Sequence, residues 1–437
     1  MARFHSTYVC QQCGYESTGW LGKCPNCGKW GTLVEEVTES SSSSNKSSSS
    51  KPSNFITSKP VLLSSIQSGN LPRVSTKIEE LDRALGGGIV SGQVILIAGI
   101  PGIGKSTLLL QLANNLKNVV YASGEESANQ IAIRAARLGV KNKNLQIIEG
   151  TDIDSIIESV SQMENLDLLI IDSIQTMSTT DLSGMAGSVG QVRESAFRLV
   201  RLAKSQNIPI FIVGHVTKEG TVAGPSVLAH IVDTVLWFEG DKSLTLRMIK
   251  ATKNRFGPSD EVGVFEMKDI GLVSLLNPEK LFLSDATDAP GRITSAIMQG
   301  TRPILIEVES LVVPSKLPFP KRVASGIDAK RFELLIAVMT RRVNIPLYDY
   351  DCFINVAGGI TAKDPSVDLA ICLSLASSYF DKTIPKNILA IGEVGLLGDI
   401  RAVVGSERIT KLSSKLGYKE LEKNKSLSMV IHKFFKN

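Results

Sequence analysis

The sequence predicts an α/β protein built around a parallel β-sheet, with a small cysteine module ahead of the sheet and a second α/β unit behind it. From about residue 60, short apolar segments alternate with helical patterns, which is typical of a parallel sheet. A glycine-rich loop at residues 99–106 connects one such strand to one such helix. Four cysteines lie within residues 10–27, ahead of a serine-rich segment at residues 40–51. These features predict a phosphate-binding core with a tethered metal module.

The size and composition of the chain limit the classes of protein it can be. A chain of 437 residues is too long for one ordinary core and predicts two or three domains. Its hydrophobic fraction of 43% is that of a globular protein, and no apolar run is long enough to span a bilayer. The first residues lack the apolar region of a signal peptide, so we expect a cytoplasmic protein without a membrane partner. A net charge of +5 permits a nucleic-acid partner without requiring one.

The loop at residues 99–106 has the complete phosphate-binding pattern G-x-x-x-x-G-K-[ST]. Its glycines let the backbone wrap around a phosphate, and the helix N-terminus behind the loop favours negative charge. Lys105 is predicted to reach the β- and γ-phosphates, and the Ser106 hydroxyl to help hold Mg²⁺. We therefore predict that the chain binds ATP and Mg²⁺. The residues predicted to surround the nucleotide are Gly99, Ile100, Pro101, Gly102, Ile103, Gly104, Lys105, Ser106 and Thr107.

Polar groups suited to triphosphate chemistry follow the strands of the predicted sheet. The strand candidates are residues 94–98, 119–122, 168–171 and 210–213. Asp172 closes the third of them as a Walker B acid, predicted to order Mg²⁺ directly or through water. Glu125 is predicted to orient the attacking water, with Glu126 as its rival and a purely helix-capping role as the alternative. His215 is a candidate for sensing the γ-phosphate.

The four N-terminal cysteines form two C-x-x-C pairs separated by ten residues. Two such pairs complete a tetrahedral site with no open position, so we predict a zinc-ribbon-like module with a structural Zn²⁺ and not a catalytic one. Two disulfides are the alternative, which the reducing environment of a cytosolic chain disfavours. Trp20 and Trp30 are interpreted as packing residues, with stacking on a nucleobase as the alternative. The predicted zinc ligands are Cys10, Cys13, Cys24 and Cys27.

Several segments together resemble a known family of ATPases. Residues 85–89 (Leu-Gly-Gly-Gly-Ile), the phosphate loop and the strands before Glu125 and Asp172 resemble the RecA-type ATPase fold. Residues 253–257, Lys-Asn-Arg-Phe-Gly, resemble the signature pentapeptide of the bacterial RadA (Sms) branch-migration proteins. With the four-cysteine N-terminus, the resemblance covers essentially the whole chain.

The resemblance implies a function that the motifs alone do not. It implies a homo-oligomeric ring, a hexamer in this family, that holds ATP at its subunit interfaces and DNA in its centre. Lys253 and Arg255 would then act in trans on the neighbouring subunit's ATP, although a DNA contact is the open alternative. The partners implied are single-stranded and branched DNA and the RecA recombinase. Hydrolysis would drive helicase-type movement and branch migration in recombination and DNA repair.

Two long segments that follow catalytic strands are candidates for DNA-binding loops. They are residues 176–193, with several glycines and Arg193, and residues 217–225, with Lys218. Backbone amides and these cations would hold phosphates without reading base sequence. Ordinary surface loops are the alternative interpretation.

The C-terminal unit resembles the proteolytic domain of Lon at residues 358–366 and 392–398. Lon proteases use a Ser–Lys dyad, in which the lysine deprotonates the nucleophilic serine. Here Ser366 lies near the serine position but with altered spacing and with Asp368 close by, and Glu407 occupies the lysine position. We therefore predict a Lon-like scaffold without proteolytic activity, although an ATP-dependent protease stays as an alternative.

These interpretations define four segments and a working function. The segments are a zinc module at residues 1–36, a flexible linker at 37–59, a RecA-like ATPase domain at 60–274 and a Lon-like domain at 275–437. The predicted activity is DNA-dependent ATP hydrolysis coupled to branch migration. A regulatory ATPase of RecA-type fold that acts on protein partners is the main alternative.

Overall fold

The computed structural model describes residues 4–10, 15–26, 28–39, 62, 72–215, 225–240, 245–278, 283, 289–357, 360–362, 364–421 and 426–435. The chain divides into two compact units. One comprises Met1–Ser259 with Phe265–Ser274, and the other comprises Asp260–Val264 with Leu275–Asn437. Within the described residues, every helix is too short or too polar to cross a membrane.

Strands and helices follow one another along most of the described chain. The strands are β1 (Phe4–Cys10), β2 (Glu16–Ser17), β3 (Leu33–Glu39), β4 (Arg73–Val74), β5 (Ile89–Val90), β6 (Val94–Gly99), β7 (Val119–Ser123), β8 (Leu145–Glu149), β9 (Leu168–Asp172), β10 (Ile210–His215), β11 (Thr234–Glu239), β12 (Leu246–Asn254), β13 (Val262–Lys268), β14 (Gly271–Ser274), β15 (Arg292–Gln299), β16 (Arg302–Pro314), β17 (Arg322–Ser325), β18 (Tyr350–Val356), β19 (Ile388–Leu389), β20 (Glu393–Val394), β21 (Ile400–Arg401) and β22 (Lys419–Glu420). The α-helices are α1 (Glu79–Leu85), α2 (Lys105–Asn115), α3 (Ala128–Arg137), α4 (Ile153–Ser161), α5 (Val189–Gln206), α6 (Pro225–Ala229), α7 (Ala329–Arg342), α8 (Asp368–Phe380), α9 (Ser406–Lys415) and α10 (Leu427–Phe435).

The ATPase region is organised on a nine-stranded sheet with the order β14-β13-β12-β11-β6-β10-β9-β7-β8. The six strands from β11 to β8 are parallel to one another, as the alternation of strands and helices predicts. β12 pairs antiparallel with β11. The strand that ends in the phosphate loop, β6, therefore lies between β10 and β11 near the middle of the sheet.

Both faces of this sheet are covered, which explains the continuous apolar runs in its strands. Ile95 and Ile97 face one apolar cluster, together with the leucines of α2. Val94 and Leu96, on the alternate positions of the same strand, face a second cluster that contains residues of α4 and α5. The strand is thus held on both sides, and the loop that follows Gly99 starts from a rigid position.

Two elements begin or end differently from the sequence-based expectation. A helix was expected from residue 76, but α1 begins at Glu79 because Lys77 has a left-handed φ of 57°. Asp82 instead accepts hydrogen bonds from the Thr76 N–H (2.8 Å) and the Ser75 hydroxyl (2.6 Å), which keeps these residues in a turn. The strand expected over residues 244–251 extends to Asn254.

The second unit contains a six-stranded sheet with the order β17-β18-β16-β15-β19-β22. The apolar helix α8 packs against β15 and β16, and its buried face fills this unit's core. A short antiparallel pair, β20 with β21, lies in the segment that resembles Lon. The N-terminal segment forms a separate antiparallel sheet of three strands, with the order β2-β1-β3.

Candidate functional site

The phosphate loop has the geometry that its sequence pattern predicts. It connects the end of β6 at Gly99 to the start of α2 at Lys105, and Pro101 and Gly102 at its tip are exposed. Gly104 has a φ of 118°, and a Cβ built there would approach the Met267 side chain to 2.6 Å, so both backbone shape and space require glycine. The Lys105 ammonium donates to the carbonyls of Gly99 (2.8 Å) and Ile100 (3.1 Å).

The sheet register brings the predicted catalytic groups to one edge. His215, the last residue of β10, pairs with Gly99 of β6, and Ser123, the last residue of β7, pairs with Asp172 of β9. The carboxyl ends of these four parallel strands are therefore level with one another. Ligands in open α/β sheets bind at this edge, so the phosphate loop and the polar groups face a common space.

Glu125, His215 and Lys105 form a connected charged group at that edge. His215 Nδ1 lies 3.0 Å from Lys105 Nζ, and His215 Nε2 lies 3.4 Å from Glu125 Oε1. The Ser173 hydroxyl also donates to Glu125 Oε1. The interaction with His215, with further contributions from Ser173 and the Lys105 charge, lowers the pKa of Glu125 from 4.5 to about 2 despite partial burial. Glu125 is thus an ionised carboxylate beside the phosphate loop.

Glu126 is directed into a different interaction. Its carboxylate is paired with Arg134 of α3, and its N–H donates to the Ser123 hydroxyl (2.9 Å). The sequence leaves the two glutamates in competition for the water-orienting role, and of the two only Glu125 contacts His215 and Ser173 in the structure. Geometry therefore favours Glu125 as the group that faces a nucleotide.

Asp172 is held by a residue that the sequence analysis did not single out. The fully buried Tyr121 of β7 donates its hydroxyl proton to Asp172 Oδ2. Burial, followed by the Asp172 charge, raises the pKa of the Tyr121 hydroxyl well above its ordinary value, so it remains a donor. Asp172 itself is buried at the end of β9. A hard carboxylate oxygen here, together with the Ser106 hydroxyl at the start of α2, is a donor set suited to Mg²⁺.

We expect Tyr121→Phe to weaken Mg²⁺ binding while leaving the fold intact. The variant keeps the buried ring but removes the hydrogen bond that orients the Asp172 carboxylate. Loss of such an orienting partner typically costs about tenfold or more in metal affinity. Binding of Mn²⁺ to the protein–nucleotide complex, measured by electron paramagnetic resonance, reports this directly. Tyr348→Phe, at a tyrosine that is 60% exposed, is the matched control. An unchanged metal affinity in Tyr121→Phe would contradict this role.

The pentapeptide at residues 253–257 lies at the opposite edge of the sheet from the phosphate loop. Asn254 pairs with Thr234 of β11, and Thr234 pairs with Ile95 near the start of β6. Gly99 is four residues further along β6, which corresponds to about 13 Å of extended strand. The two cations of the pentapeptide therefore do not converge with Lys105 and Glu125 within one subunit.

Lys253 and Arg255 differ in how they are held. The Lys253 ammonium donates to the carbonyls of Ala229 (2.6 Å) and Val232 (2.7 Å), and partial burial followed by the Arg255 charge lowers its pKa. Arg255 has a side chain that is 56% exposed, and its Nη1 lies 3.5 Å from Asp233 Oδ1. Lys253 is thus engaged with its own backbone, whereas Arg255 is largely open to solvent.

Asp233 links the pentapeptide to the phosphate-loop strand. Its buried carboxylate accepts hydrogen bonds from the N–H of Val94 (3.0 Å) and from Lys204 Nζ (2.6 Å). Lys204 also lies over the ring of Phe256, 5.4 Å from its centroid. One carboxylate therefore connects the first residue of β6 to the residues around Arg255. No motif marked Asp233, because a lone acid before a strand carries no recognisable pattern.

A buried arginine also supports the phosphate loop. Arg247 of β12 is 5% exposed, and its Nε donates to the carbonyl of Ile103 (3.1 Å). Arg247 and Tyr121 were both missed because each lies inside an apolar strand pattern. Only the pairing of distant strands shows which loop or carboxylate they contact.

The first predicted DNA loop is shorter and better anchored than the sequence suggested. Residues 176–193 were expected to be one long mobile loop, but α5 begins at Val189, so Arg193 lies on a helix. The buried Gln191 explains the difference. Its side chain accepts from the Thr179 N–H (2.8 Å) and donates to the Leu182 carbonyl (2.6 Å), which fastens the remaining loop. In the second predicted loop, residues 217–224, including Lys218, lie outside the described residues.

The cysteine module is described in part. Cys10 and Cys24 are fully buried and lie in one small cluster with Leu33, while Cys13 and Cys27 lie outside the described residues. The N–H of Cys24 donates to the Lys29 carbonyl (2.9 Å), and its carbonyl accepts from Gly28 (2.9 Å), which gives a tight turn after Cys24. Two buried thiols in such a setting fit half of a structural zinc site.

The serine of the Lon-like segment is not placed as a nucleophile. Ser366 is 1% exposed, and its hydroxyl donates to the Ala296 carbonyl (3.1 Å) inside the second unit. Asp368 is also buried and is paired with Arg331, whose Nε donates to Asp368 Oδ1 (3.0 Å). Glu407 is exposed in the first turn of α9. These contacts agree with a scaffold without proteolysis; the likeness to Lon itself stays a prediction.

Comparison with known proteins agrees with this architecture. Residues 8–35 match the rubredoxin metal binding domain, and residues 66–221 match the AAA domain. Among solved structures, one ATPase domain covers 48% of this chain and is itself covered over 93% of its length, at 16% identity and a TM-score of 0.40, too limited a likeness to support further conclusions. The prediction of an α/β protein with a P-loop ATPase core and an N-terminal zinc-ribbon module is confirmed.

Relatives with a similar sequence extend over nearly the full chain. The DNA repair protein RadA of Bacillus subtilis is 45% identical over 426 residues, which cover 96% of this chain and 93% of that protein. RadA of Aquifex aeolicus is 45% identical over 437 residues, covering 99% and 96%. RadA of Listeria monocytogenes is 45% identical over 426 residues, covering 96% and 92%. Identity at this level along both chains shows that the chain belongs to the family of the DNA repair protein RadA.

Proposed function

We propose that this protein is a DNA-dependent ATPase that moves on single-stranded and branched DNA and promotes branch migration together with RecA. The observation that carries the proposal is the convergence of Lys105, Glu125, Asp172 and His215 at the carboxyl edge of four neighbouring parallel strands. This arrangement supplies a phosphate cation, a water-orienting carboxylate and a metal-binding carboxylate in one space. The names of the relatives, which are DNA repair proteins, support the choice of DNA as partner.

Each of these residues has a defined task in ATP hydrolysis. The phosphate loop and Lys105 hold the β- and γ-phosphates, and Lys105 balances charge that develops on the transferred group. Glu125 accepts a hydrogen bond from the attacking water and aligns it with the γ-phosphorus. Ser106 and Asp172 would hold Mg²⁺, which neutralises phosphate charge when it is bound. His215 lies between Lys105 and Glu125 and is placed to respond when a phosphate separates them.

We expect Glu125→Gln to bind ATP but to lose hydrolysis, whereas Glu126→Gln keeps it. The first variant removes the carboxylate beside His215, and the matched second variant removes only the pair with Arg134. General-base contributions are typically a factor of about 10² to 10⁴. Turnover under saturating ATP, with binding followed by a fluorescent nucleotide, separates the two steps. Equal losses in both variants would contradict the assignment of Glu125.

The pH dependence follows from the lowered pKa of Glu125. Its folded pKa of about 2 lies below the ordinary value of 4.5, so its ionised form favours the folded state above about pH 4.5. That contribution is lost as the pH falls through about 2. We therefore expect no titration of Glu125 in a pH–rate profile between about pH 5 and 9. An acid limb in that range that disappears in Glu125→Gln at low residual turnover would contradict this expectation.

The position of the pentapeptide supports shared active sites. Arg255 is on the edge of the sheet opposite the phosphate loop and is largely exposed, so it is available to a neighbouring subunit. We propose that Arg255 approaches the neighbour's nucleotide within a homo-oligomeric, hexameric ring. Lys253 would join it only after leaving the carbonyls of Ala229 and Val232. A DNA contact for these cations is the competing proposal.

The remaining parts of the chain have supporting roles in this proposal. We propose a zinc module at residues 1–36 with Zn²⁺ on Cys10, Cys13, Cys24 and Cys27, a linker at 37–59, an ATPase domain at 60–274 and a Lon-like domain at 275–437. A cytoplasmic location fits partners that are DNA and RecA. Residues 177–188 and 217–224 would line the DNA path, because both follow strands that end beside the phosphate loop.

Steady-state ATP hydrolysis with and without single-stranded DNA tests the proposal, at constant Mg²⁺ and salt. Stimulation by the DNA, followed by strand exchange on a synthetic three-stranded junction with RecA present, is the expected result. Robust hydrolysis that is indifferent to DNA would overturn the motor proposal and favour an ATPase that acts on protein partners. Casein degradation that requires Ser366 would instead favour a protease.

A further inference from the structure

The zinc module exposes two tryptophans that sequence analysis interpreted as packing residues. Trp20 is 62% exposed and Trp30 is 74% exposed. Both rings lie over Gly22, because a Cβ built at that glycine would be 3.6 Å from Trp20 Cη2 and 3.6 Å from Trp30 Cζ3. The packing interpretation was therefore wrong. Indole rings are large apolar groups, and two of them exposed side by side form a contact surface.

The backbone fixes the two rings relative to each other. Lys23 and Trp30 form an antiparallel β-bridge, and the Gly31 N–H donates to the Gly22 carbonyl (2.8 Å). Cys24, next to the bridge, is fully buried and anchors this hairpin to the core of the module. The surface formed by Trp20, Gly22 and Trp30 is thus a preorganised platform, and binding on it would not have to order a flexible segment.

The charges around the platform fit an anionic ligand. Residues 17–34 contain Lys23 and Lys29 and no aspartate or glutamate. The Lys23 ammonium lies over the Trp30 ring, 5.8 Å from its centroid. A cation at the margin of aromatic faces is the combination used to hold the phosphate backbone while bases stack on the rings.

We propose that Trp20 and Trp30 form a stacking platform for unpaired nucleobases of single-stranded DNA, with Lys23 contacting a phosphate. Single strands are favoured over duplexes because the faces of paired bases are already covered by their neighbours. Stacking is tolerant of base identity, since every base has a π-face. The proposal rests on the proposed DNA-dependent function, and it adds a site on the zinc module that is separate from the loops near the phosphate site.

The native tryptophans provide a direct test. The chain contains three tryptophans, and the third, Trp237, lies in β11 of the ATPase region. In full-length, zinc-loaded Trp237→Phe protein, the fluorescence therefore reports the platform alone. We expect a thymidine oligonucleotide to quench this fluorescence, and an abasic oligonucleotide of equal length and charge to quench it weakly or not at all. Equal quenching by both oligonucleotides would overturn base stacking.

Affinity measurements then locate the binding energy. We expect the Trp20→Ala/Trp30→Ala variant to bind a labelled single strand about tenfold or more weakly, measured by anisotropy, because base–aromatic stacking contributes substantially for each base. Trp20→Phe/Trp30→Phe keeps aromatic faces and should retain most of the affinity. Ile133→Ala, at a residue that is 73% exposed on α3, is the matched control for loss of an exposed apolar side chain. Zinc content is compared in every variant.

The role of Lys23 has its own measurement. Lys23→Gln should reduce the slope of the logarithm of affinity against the logarithm of salt concentration by about 0.7, as expected for one phosphate contact on a single strand. If the protein binds single strands and its ATPase responds to them without platform quenching, the platform proposal fails and the proposed function stands. If it binds no single-stranded DNA at all, both fail. Unchanged DNA affinity in the double alanine variant would overturn the platform and point to a protein partner for this surface.

Discussion

Lys105→Ala is expected to reduce ATP hydrolysis by about a hundredfold or more, with and without DNA. The ammonium is positioned by the Gly99 and Ile100 carbonyls at the base of the loop, and it would meet the β- and γ-phosphates there. Removing one preorganised contact to developing charge typically costs a factor of about 10² to 10³. Release of phosphate at saturating ATP and Mg²⁺ measures the loss.

Two further variants make the Lys105 result specific. Lys117→Ala removes an exposed lysine just beyond the other end of α2 and should hydrolyse ATP at the rate of the parent. Lys105→Arg keeps a positive charge but not the point-charge geometry, and we expect it to bind nucleotide with impaired turnover. Near-normal hydrolysis by Lys105→Ala would remove the basis for the nucleotide site.

Arg255→Ala is expected to retain ATP binding and to lose hydrolysis by about a thousandfold. Arginines that reach a neighbour's phosphoryl group are worth a factor of about 10³ to 10⁵. Within its own subunit Arg255 lies at the opposite edge of the sheet from Lys105, so its truncation leaves the phosphate loop unchanged. Arg201→Ala, at another largely exposed arginine, is the matched control.

Mixing subunits distinguishes a shared site from a local effect. Arg255→Ala subunits still provide intact phosphate loops, and Lys105→Ala subunits still provide Arg255. At an interface where each lends its intact half, hydrolysis should partly return in the mixture although each variant alone is inactive. Absence of any recovery across mixing ratios, with mixed oligomers demonstrated by native mass spectrometry, would contradict the in-trans role and favour a DNA contact.

Local chemistry was sufficient to predict much of this molecule. The phosphate loop, the strand ends at Asp172 and His215 and the two cysteine pairs were identified from short patterns, because each requires particular residues at fixed spacing. The parallel sheet followed from alternating strands and helices, since apolar runs of β-branched residues between helices are buried on both faces. These inferences use only neighbours along the chain.

Contacts between distant residues were decided by the tertiary structure alone. Tyr121 lies within an apolar strand, and only the pairing of β7 with β9 brings its hydroxyl to Asp172. Gln191 likewise converts part of an expected loop into an ordered turn ahead of α5. Such partners are far apart along the chain, and their meeting depends on sheet order, register and helix packing, which local patterns do not specify.

Exposure divides in the same way. Tryptophan is an apolar residue that is usually packed, so the sequence favoured burial of Trp20 and Trp30, whereas the small module leaves both rings open. Residue types and spacing settled which ligands the chain is equipped to bind, because those depend on side-chain chemistry. Which side chains line the site and which face solvent was settled by packing, because burial depends on the volume that the whole fold has available.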